Sequence, residues 1–427
     1  MLSWVAILRL GLVQMCIGSI IVLMTSTLNR IMVVELALPA IVPGLLVGLH
    51  YAMQLTRPGW GLRSDLRGRR TPWIIGGMVV LAAGGLLAAV SVALYSGGPL
   101  AAIALSVLAY VLIGVGVAIT GTSVLAFLAS ATAPGRRAAA ATIVWLMMIA
   151  GIAISAGVVG NLLDPYSSQR LVTIVACVAA MAISVTTLAL WGLERGVPVA
   201  EAEAHVPLRA GLAEVWAEPH TRRFTQFVFL AMIAFFLQDL ILEPYAGLVF
   251  GYSPGATTRL SGAQSGGVFA GMLTVGVVAT GLGFGSLRNW VILGCVGSAA
   301  AALGIALIGP AGSDLIFELT IVLGFCNGVF AVSAIGAMMA LAGKGRSARE
   351  GTRMGVWGAA QAIASGVGGL TGAAAADLLR LVLPTDYAFA SVFALQALVF
   401  LIAAGMAYRV IDPGRDRALP STLTAGA

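Results

Sequence analysis

A few residues able to do chemistry stand inside long apolar stretches of this 427-residue chain. Asp239 and Glu243 lie four apart, which puts both carboxylates on one face of a helix. Pro244 follows, and a proline there breaks or kinks that helix because it has no backbone donor. Arg30 is a cation in another apolar run. Charged groups at such positions are costly, so each invites a functional reading. The expectation is that Arg30 pairs with Asp239 or Glu243 and closes one end of a cavity; the alternative is that Arg30 snorkels to an interface while the acids face water. Glu35 either pairs with Arg30 or faces the exit. His50 and Gln54 also lie four apart and share a helix face. Gln14, Gln264, Gln361 and Asn327 are amides within apolar runs, suited to a carbonyl-bearing ligand or to bonds between helices. No Ser-His-Asp grouping, phosphate loop or metal-ligand spacing appears, so no catalytic or metal site is expected and the chain does not read as an enzyme. The four cysteines fall in apolar runs and read as packing residues.

The elements that carry these groups follow from composition. The chain is 59% hydrophobic and only 10% charged, with mean hydropathy +1.00. A soluble protein carries about a quarter charged residues, so this is an all-α integral membrane protein. A soluble enzyme, a DNA-binding domain and a secreted disulfide scaffold are disfavoured, and the net charge of +7 does not imply nucleic acid. Twelve helices are predicted, at 8–33, 39–60, 72–96, 99–130, 138–162, 169–193, 222–249, 258–285, 289–310, 313–342, 352–380 and 386–411. The longest polar stretch, 194–221, is then a linker between two six-helix bundles, 1–193 and 222–412, with a tail at 413–427. With both termini cytoplasmic, twenty of the basic residues fall on that side and only Arg30, Arg170, Arg259 and Arg380 on the other. The halves also echo each other. A shift of 212 places Arg137 on Arg349, Trp145 on Trp357, Gly157 on Gly369 and Gly160 on Gly372, as expected of a carrier built from two repeats.

Between the second and third predicted helices stands GLRSDLRGRR, residues 61–70. It resembles the signature loop of the major facilitator superfamily. Gly61 and Gly68 permit a tight turn. Asp65 can face the positive N-terminus of a neighbouring helix, and the resemblance implies that this is the eleventh. Arg69 and Arg70 can hold anionic headgroups or nearby carboxylates. The corresponding place in the second half, GFGSLRNW, lacks the acid.

Four stretches are similar to a narrower branch, the PucC-like bacteriochlorophyll delivery family: TLNRIMVVELALPA (27–40), GLHYAMQLTRPGWGLRSD (48–65), LQDLILEPYAGLVFGYSPGATTRLSG (237–262) and GFCNGVFAVSAIGAMMALAG (324–343). They are spread over both halves. The resemblance implies a role in assembling light-harvesting complexes, with bacteriochlorophyll as cargo. The implied partners are light-harvesting polypeptides, bacteriochlorophyll synthesis enzymes and membrane lipids. The implied location is a bacterial inner or photosynthetic membrane. On that reading His50 is either an axial ligand to the pigment's magnesium or a buried histidine bonded to a neighbouring helix. The first six helices lack a mid-membrane carboxylate, which suits a hydrophobic cargo better than a sugar or an ion. A secondary exporter of a hydrophobic small molecule and a pigment-free membrane scaffold stand as alternatives.

Overall fold

A chain this apolar must satisfy its backbone within each segment once it is in lipid, and helices do so. The structure, a computed structural model, describes residues 2–57, 59–60, 69–133, 136–194, 219–342 and 350–411, and the regular elements among them are all helical. We label them α1 (Trp4–Val22), α2 (Ile41–Met53), α3 (Thr71–Ala93), α4 (Pro99–Ala131), α5 (Arg137–Leu163), α6 (Ser168–Leu190), α7 (Pro219–Leu237), α8 (Leu242–Phe250), α9 (Pro254–Val275), α10 (Leu287–Ala311), α11 (Ile316–Ala342), α12 (Glu350–Arg380) and α13 (Thr385–Val410). Eleven continuous helical runs among the described residues are long and apolar enough to cross a membrane, and Ile41–Thr56 is a shorter apolar helix. Residues 61–68, with Asp65, most of the linker and the tail lie outside the described residues.

Helix ends follow ordinary capping chemistry. Ser3, Ser167, Ser253 and Ser286 each accept a backbone N–H of the first turn that follows. Gly251 and Gly312 close α8 and α10 in the left-handed conformation, at φ 69° and 64°.

The helices form two bundles. In the first, α1 packs on α5 and α6, α3 on α4 and α6, and α2 on α4. In the second, α7 packs on α12 and α13, α9 on α11, and α10 on α11 and α13. Buried apolar side chains gather into one cluster around Leu10, Leu81 and Tyr110 and another around Phe227, Phe330 and Phe393. Two helix pairs join the bundles: α5 against α9, and α2 against α12. We call the face where α1 begins and α13 ends the terminal face, and the opposite one the distal face.

Two spans are not continuous α-helices, the seventh as Pro244 leads one to expect. The seventh breaks between Leu237 and Leu242, dividing it into α7 and α8. The first continues beyond α1 through two π-helical segments, Leu23–Leu28 and Ile31–Glu35. The offset of 212 carries 23–28 onto 235–240, so the related spans are distorted at corresponding places.

Candidate functional site

The two distorted spans meet, and their irregularity is what makes the site. Pro244 has no N–H, so the carbonyl of Leu240 loses the partner that a continuous helix would give it. Asn29 Nδ2, from the other half, donates to that carbonyl at 2.9 Å. Glu243, one residue before the proline, is buried; its Oε1 accepts from the hydroxyls of Ser26 on the first span and Ser261 on α9, while its Oε2 is buried without a partner. Thr27 and Thr258 hydroxyls lie 3.0 Å apart beside it. Three polar side chains of the segment TSTLNR, Ser26, Thr27 and Asn29, thus turn into the interface between the halves.

Arg30 is only 3% exposed. Its Nη1 pairs with Glu35, and its Nη2 donates to the carbonyl of Tyr252 at 2.7 Å. The expected ion pair with Asp239 or Glu243 is not the one formed. The reason lies in the π-helical register, where residues five apart come into line. Leu36 N–H accordingly bonds the Ile31 carbonyl at 3.0 Å, and the same widening brings Glu35 over Arg30. Gly247 leaves room for the guanidinium, since a Cβ there would stand 3.2 Å from Arg30 Nε.

Nearer the distal surface, Asp164 at the end of α5 reaches across to the start of α9. It accepts from Ser253 Oγ at 2.8 Å, from Gly255 N at 3.1 Å and from Arg259 Nη1 at 3.4 Å. An acid is favourable at that positive helix end. Arg259 also donates to the Gly160 carbonyl at 3.1 Å. Asp377 Oδ2 of α12 accepts from Ile41 N at 2.7 Å. Outside the spans, Tyr252 donates to Asp314 at 2.8 Å; burial and that neighbouring carboxylate push its phenol up to about 12. It stays a neutral donor.

Deeper between the halves the contacts turn aromatic. Tyr51 of α2 meets Phe236 of α7 edge-on at 6.2 Å, and Phe236 meets Phe235 at 5.0 Å. Asp239 follows within the break of the seventh span. Its side chain is half-buried, it lies within electrostatic reach of Tyr51, and no described residue gives it a hydrogen bond or ion pair.

Of the other predicted residues, His50, Gln54, Asn327 and Arg70 have local partners. His50 is 1% exposed and faces α4, where Gly114 packs on its backbone. Its Nε2 lies 3.0 Å from Gln54 Nε2, and Gln54 Oε1 accepts from Arg57. Of the two readings of His50, the burial favours the buried histidine, with its partner four residues along its own span rather than on a neighbouring helix. Asn327 Oδ1 accepts from Ser298 at 2.8 Å, joining α10 to α11 within one half, while its Nδ2 is buried without a partner. Gln14 is buried on α1, whereas Gln264 and Gln361 are half-buried on α9 and α12. Arg69 is exposed. Arg70 donates its backbone N–H to Glu194 at 2.6 Å and its guanidinium to Ser130 at 2.9 Å. Sequence reasoning missed Ser26, Asn29, Asp164 and Ser261. The run TSTLNR in an apolar span was the available signal for the first two.

Comparison with known proteins places this geometry in a family. A family model described as "PUCC protein" matches residues 27–414. The "Bacteriochlorophyll synthase 44.5 kDa chain" of Rhodobacter capsulatus is 61% identical, over 100% of this chain and 99% of its own length. A "Protein PucC" of Cereibacter sphaeroides is 33% identical over 84% of this chain and 81% of its own. Among solved structures, a D-xylose-proton symporter superposes with a TM-score of 0.73 at 14% identity, over 97% of this chain and 99% of that one. That likeness shows the major facilitator fold.

Proposed function

The chain belongs to the PucC family, and from that premise we propose that this multi-pass membrane protein binds bacteriochlorophyll and passes it to light-harvesting polypeptides during antenna assembly. One observation carries the reading: end-to-end kinship, at 61% identity, with a chain named for bacteriochlorophyll synthesis. The word synthase in that name is read as placing the relative with pigment supply, since the fold here is that of a carrier. A carrier holds its cargo between two halves and exposes it by rocking one against the other. Below the polar contacts of the distal end, the half-to-half surface is aromatic where Tyr51 meets Phe236, which suits a large flat apolar molecule. The excess of basic residues on the terminal face supports a bacterial inner or photosynthetic membrane with both termini cytoplasmic. The antenna polypeptides and pigment-synthesis enzymes are the partners this role requires.

The test is purification in mild detergent from a phototrophic host, joined to deletion of the gene. A pigment absorption band that co-migrates with the protein, and antenna levels that fall on deletion while solute fluxes hold, support the reading. A second reading, export of a hydrophobic small molecule, is favoured by the polar contacts that shut the distal face, since alternating access needs such a closure. A pigment-free preparation that drives energy-dependent flux in vesicles establishes export instead.

A further inference from the structure

We propose that Asp239 is the axial ligand to the magnesium of a tetrapyrrole held between the halves, with Tyr51 and Phe236 as the wall for the ring. This rests on the pigment reading above and deepens it, because it names the coordinating atom.

The first argument is that Asp239 is uncommitted. Glu243 is held by Ser26 and Ser261, Glu35 by Arg30, Asp164 by Ser253, Gly255 and Arg259, and Asp377 by the Ile41 N–H. Arg30, the cation that an isolated acid at this depth would attract, is taken by Glu35 and the Tyr252 carbonyl. Asp239 alone of this group has no partner among the described residues, and it is half-buried rather than sealed. An acid at membrane depth without a partner marks a functional position.

The second argument is placement. Asp239 sits where the seventh span is broken, between α7 and α8. Interrupted helices near the middle of the bilayer form the binding sites of many carriers, because the unwound backbone lines the cavity. Phe235 and Phe236 close α7 just before it, and the Asp239 N–H bonds the Phe236 carbonyl at 3.0 Å in the turn that follows. Phe236 meets Tyr51 of the opposite half. Two glycines of α12 let α2 and α7 approach here: a Cβ at Gly366 would stand 3.3 Å from Tyr51 Cβ, and one at Gly368 2.8 Å from the Ile233 carbonyl and 3.2 Å from Phe236 Cβ. A ligand there has an aromatic wall made from both halves and one oxygen donor beside it.

The third argument is chemistry. Magnesium is a hard cation that prefers oxygen. In a chlorin its four equatorial positions are filled by the ring, which leaves an axial site. A single carboxylate beside apolar rings meets that need. It also discriminates, because a ring without metal offers the carboxylate nothing and leaves its charge uncompensated. His50, the imidazole that spacing first suggests, is bonded to Gln54 and only 1% exposed.

The test titrates the purified full-length protein in detergent with bacteriochlorophyll and, separately, with its metal-free counterpart, by fluorescence quenching and by the absorption band sensitive to magnesium coordination. The expected result is that wild type prefers the magnesium pigment by about tenfold or more. Asp239→Leu should lose that preference while still binding the metal-free ring, which also shows that the variant is folded. His50→Leu should retain the preference. Equal binding of both pigments by wild type, or a preference that survives in Asp239→Leu, overturns the ligand assignment and leaves the pigment reading standing. If Asp239→Leu does not fold, the wild-type comparison and His50→Leu decide: a coordination band lost in His50→Leu rejects Asp239. Failure of wild type to bind either pigment overturns both.

Discussion

The interface between the halves has two unlike ends. Toward the distal face it is polar and directional: Asn29 on the Leu240 carbonyl, Ser26 and Ser261 on Glu243, Arg30 on Tyr252, Asp164 on the start of α9, and the Ile41 N–H on Asp377. Deeper, where Tyr51 meets Phe236, the described contacts are rings and glycines. Hydrogen bonds fix one geometry and weaken steeply when bent. Aromatic and aliphatic contacts keep much of their value as surfaces slide. The difference teaches where a rocking motion must be resisted and where it must be allowed. The polar end acts as a latch and the apolar end as a yielding seam.

The largest expected effect comes from forcing the latch apart. A Cβ at Gly255 would stand 2.4 Å from both the Asp164 carboxylate and the Gly160 carbonyl. Gly255→Leu should therefore hold α5 off α9, and overpacking of this kind costs about 1–3 kcal/mol. The readout is maleimide labelling, in a Cys177→Ser background, of a cysteine placed at buried Leu28. Labelling from the distal side should rise at least about fivefold. An unchanged rate would mean that this contact does not hold the face shut.

Next comes Asn29→Leu, which leaves the Leu240 carbonyl buried and unpaired. The cost is about 1–3 kcal/mol, read as a lower midpoint of thermal unfolding in detergent. A double-mutant cycle sharpens it. Pro244→Ala restores the N–H that a continuous helix would direct at Leu240, so Asn29→Leu should be nearly silent in that background. Equal costs in both backgrounds would show that the proline is not what creates the need for Asn29.

How much of this was legible beforehand varies with the kind of interaction. The spans and the two-bundle fold were readable because apolar length is a local property. Pro244 gave the break in the seventh span for the same reason. For Arg30 the sequence offered both Glu35 and the acids of the seventh span; the 212 offset puts the latter at a similar depth, and only the π-helical register shows that Glu35 is the partner. Asn29 and Ser261 were missed because their partners lie 211 and 18 residues away, one of them a backbone carbonyl freed by a proline elsewhere. His50 stayed open between two readings because spacing shows that it shares a face with Gln54, but not that the two bond each other. Asp239 and Glu243 look equivalent in sequence. Only packing shows that one is held by two hydroxyls and the other by none.

Two hydroxyl deletions separate latch from seam most finely. Ser26→Ala removes a buried donor to Glu243, and hydrogen bonds to charged or acidic groups are worth about 1.5–3 kcal/mol; because Ser261 still serves the same oxygen, the loss should fall near or below the lower bound. Tyr51→Phe keeps the ring, and with it an edge-on aromatic contact worth about 0.5–1.5 kcal/mol. It removes only a hydroxyl that has no hydrogen-bond partner among the described residues. Its unfolding midpoint should match wild type, corresponding to a change within about 0.5 kcal/mol. If Tyr51→Phe is instead as damaging as Ser26→Ala, the phenol carries a bond of its own. The seam would then be a second directional contact, and the halves could not slide there as the contrast requires.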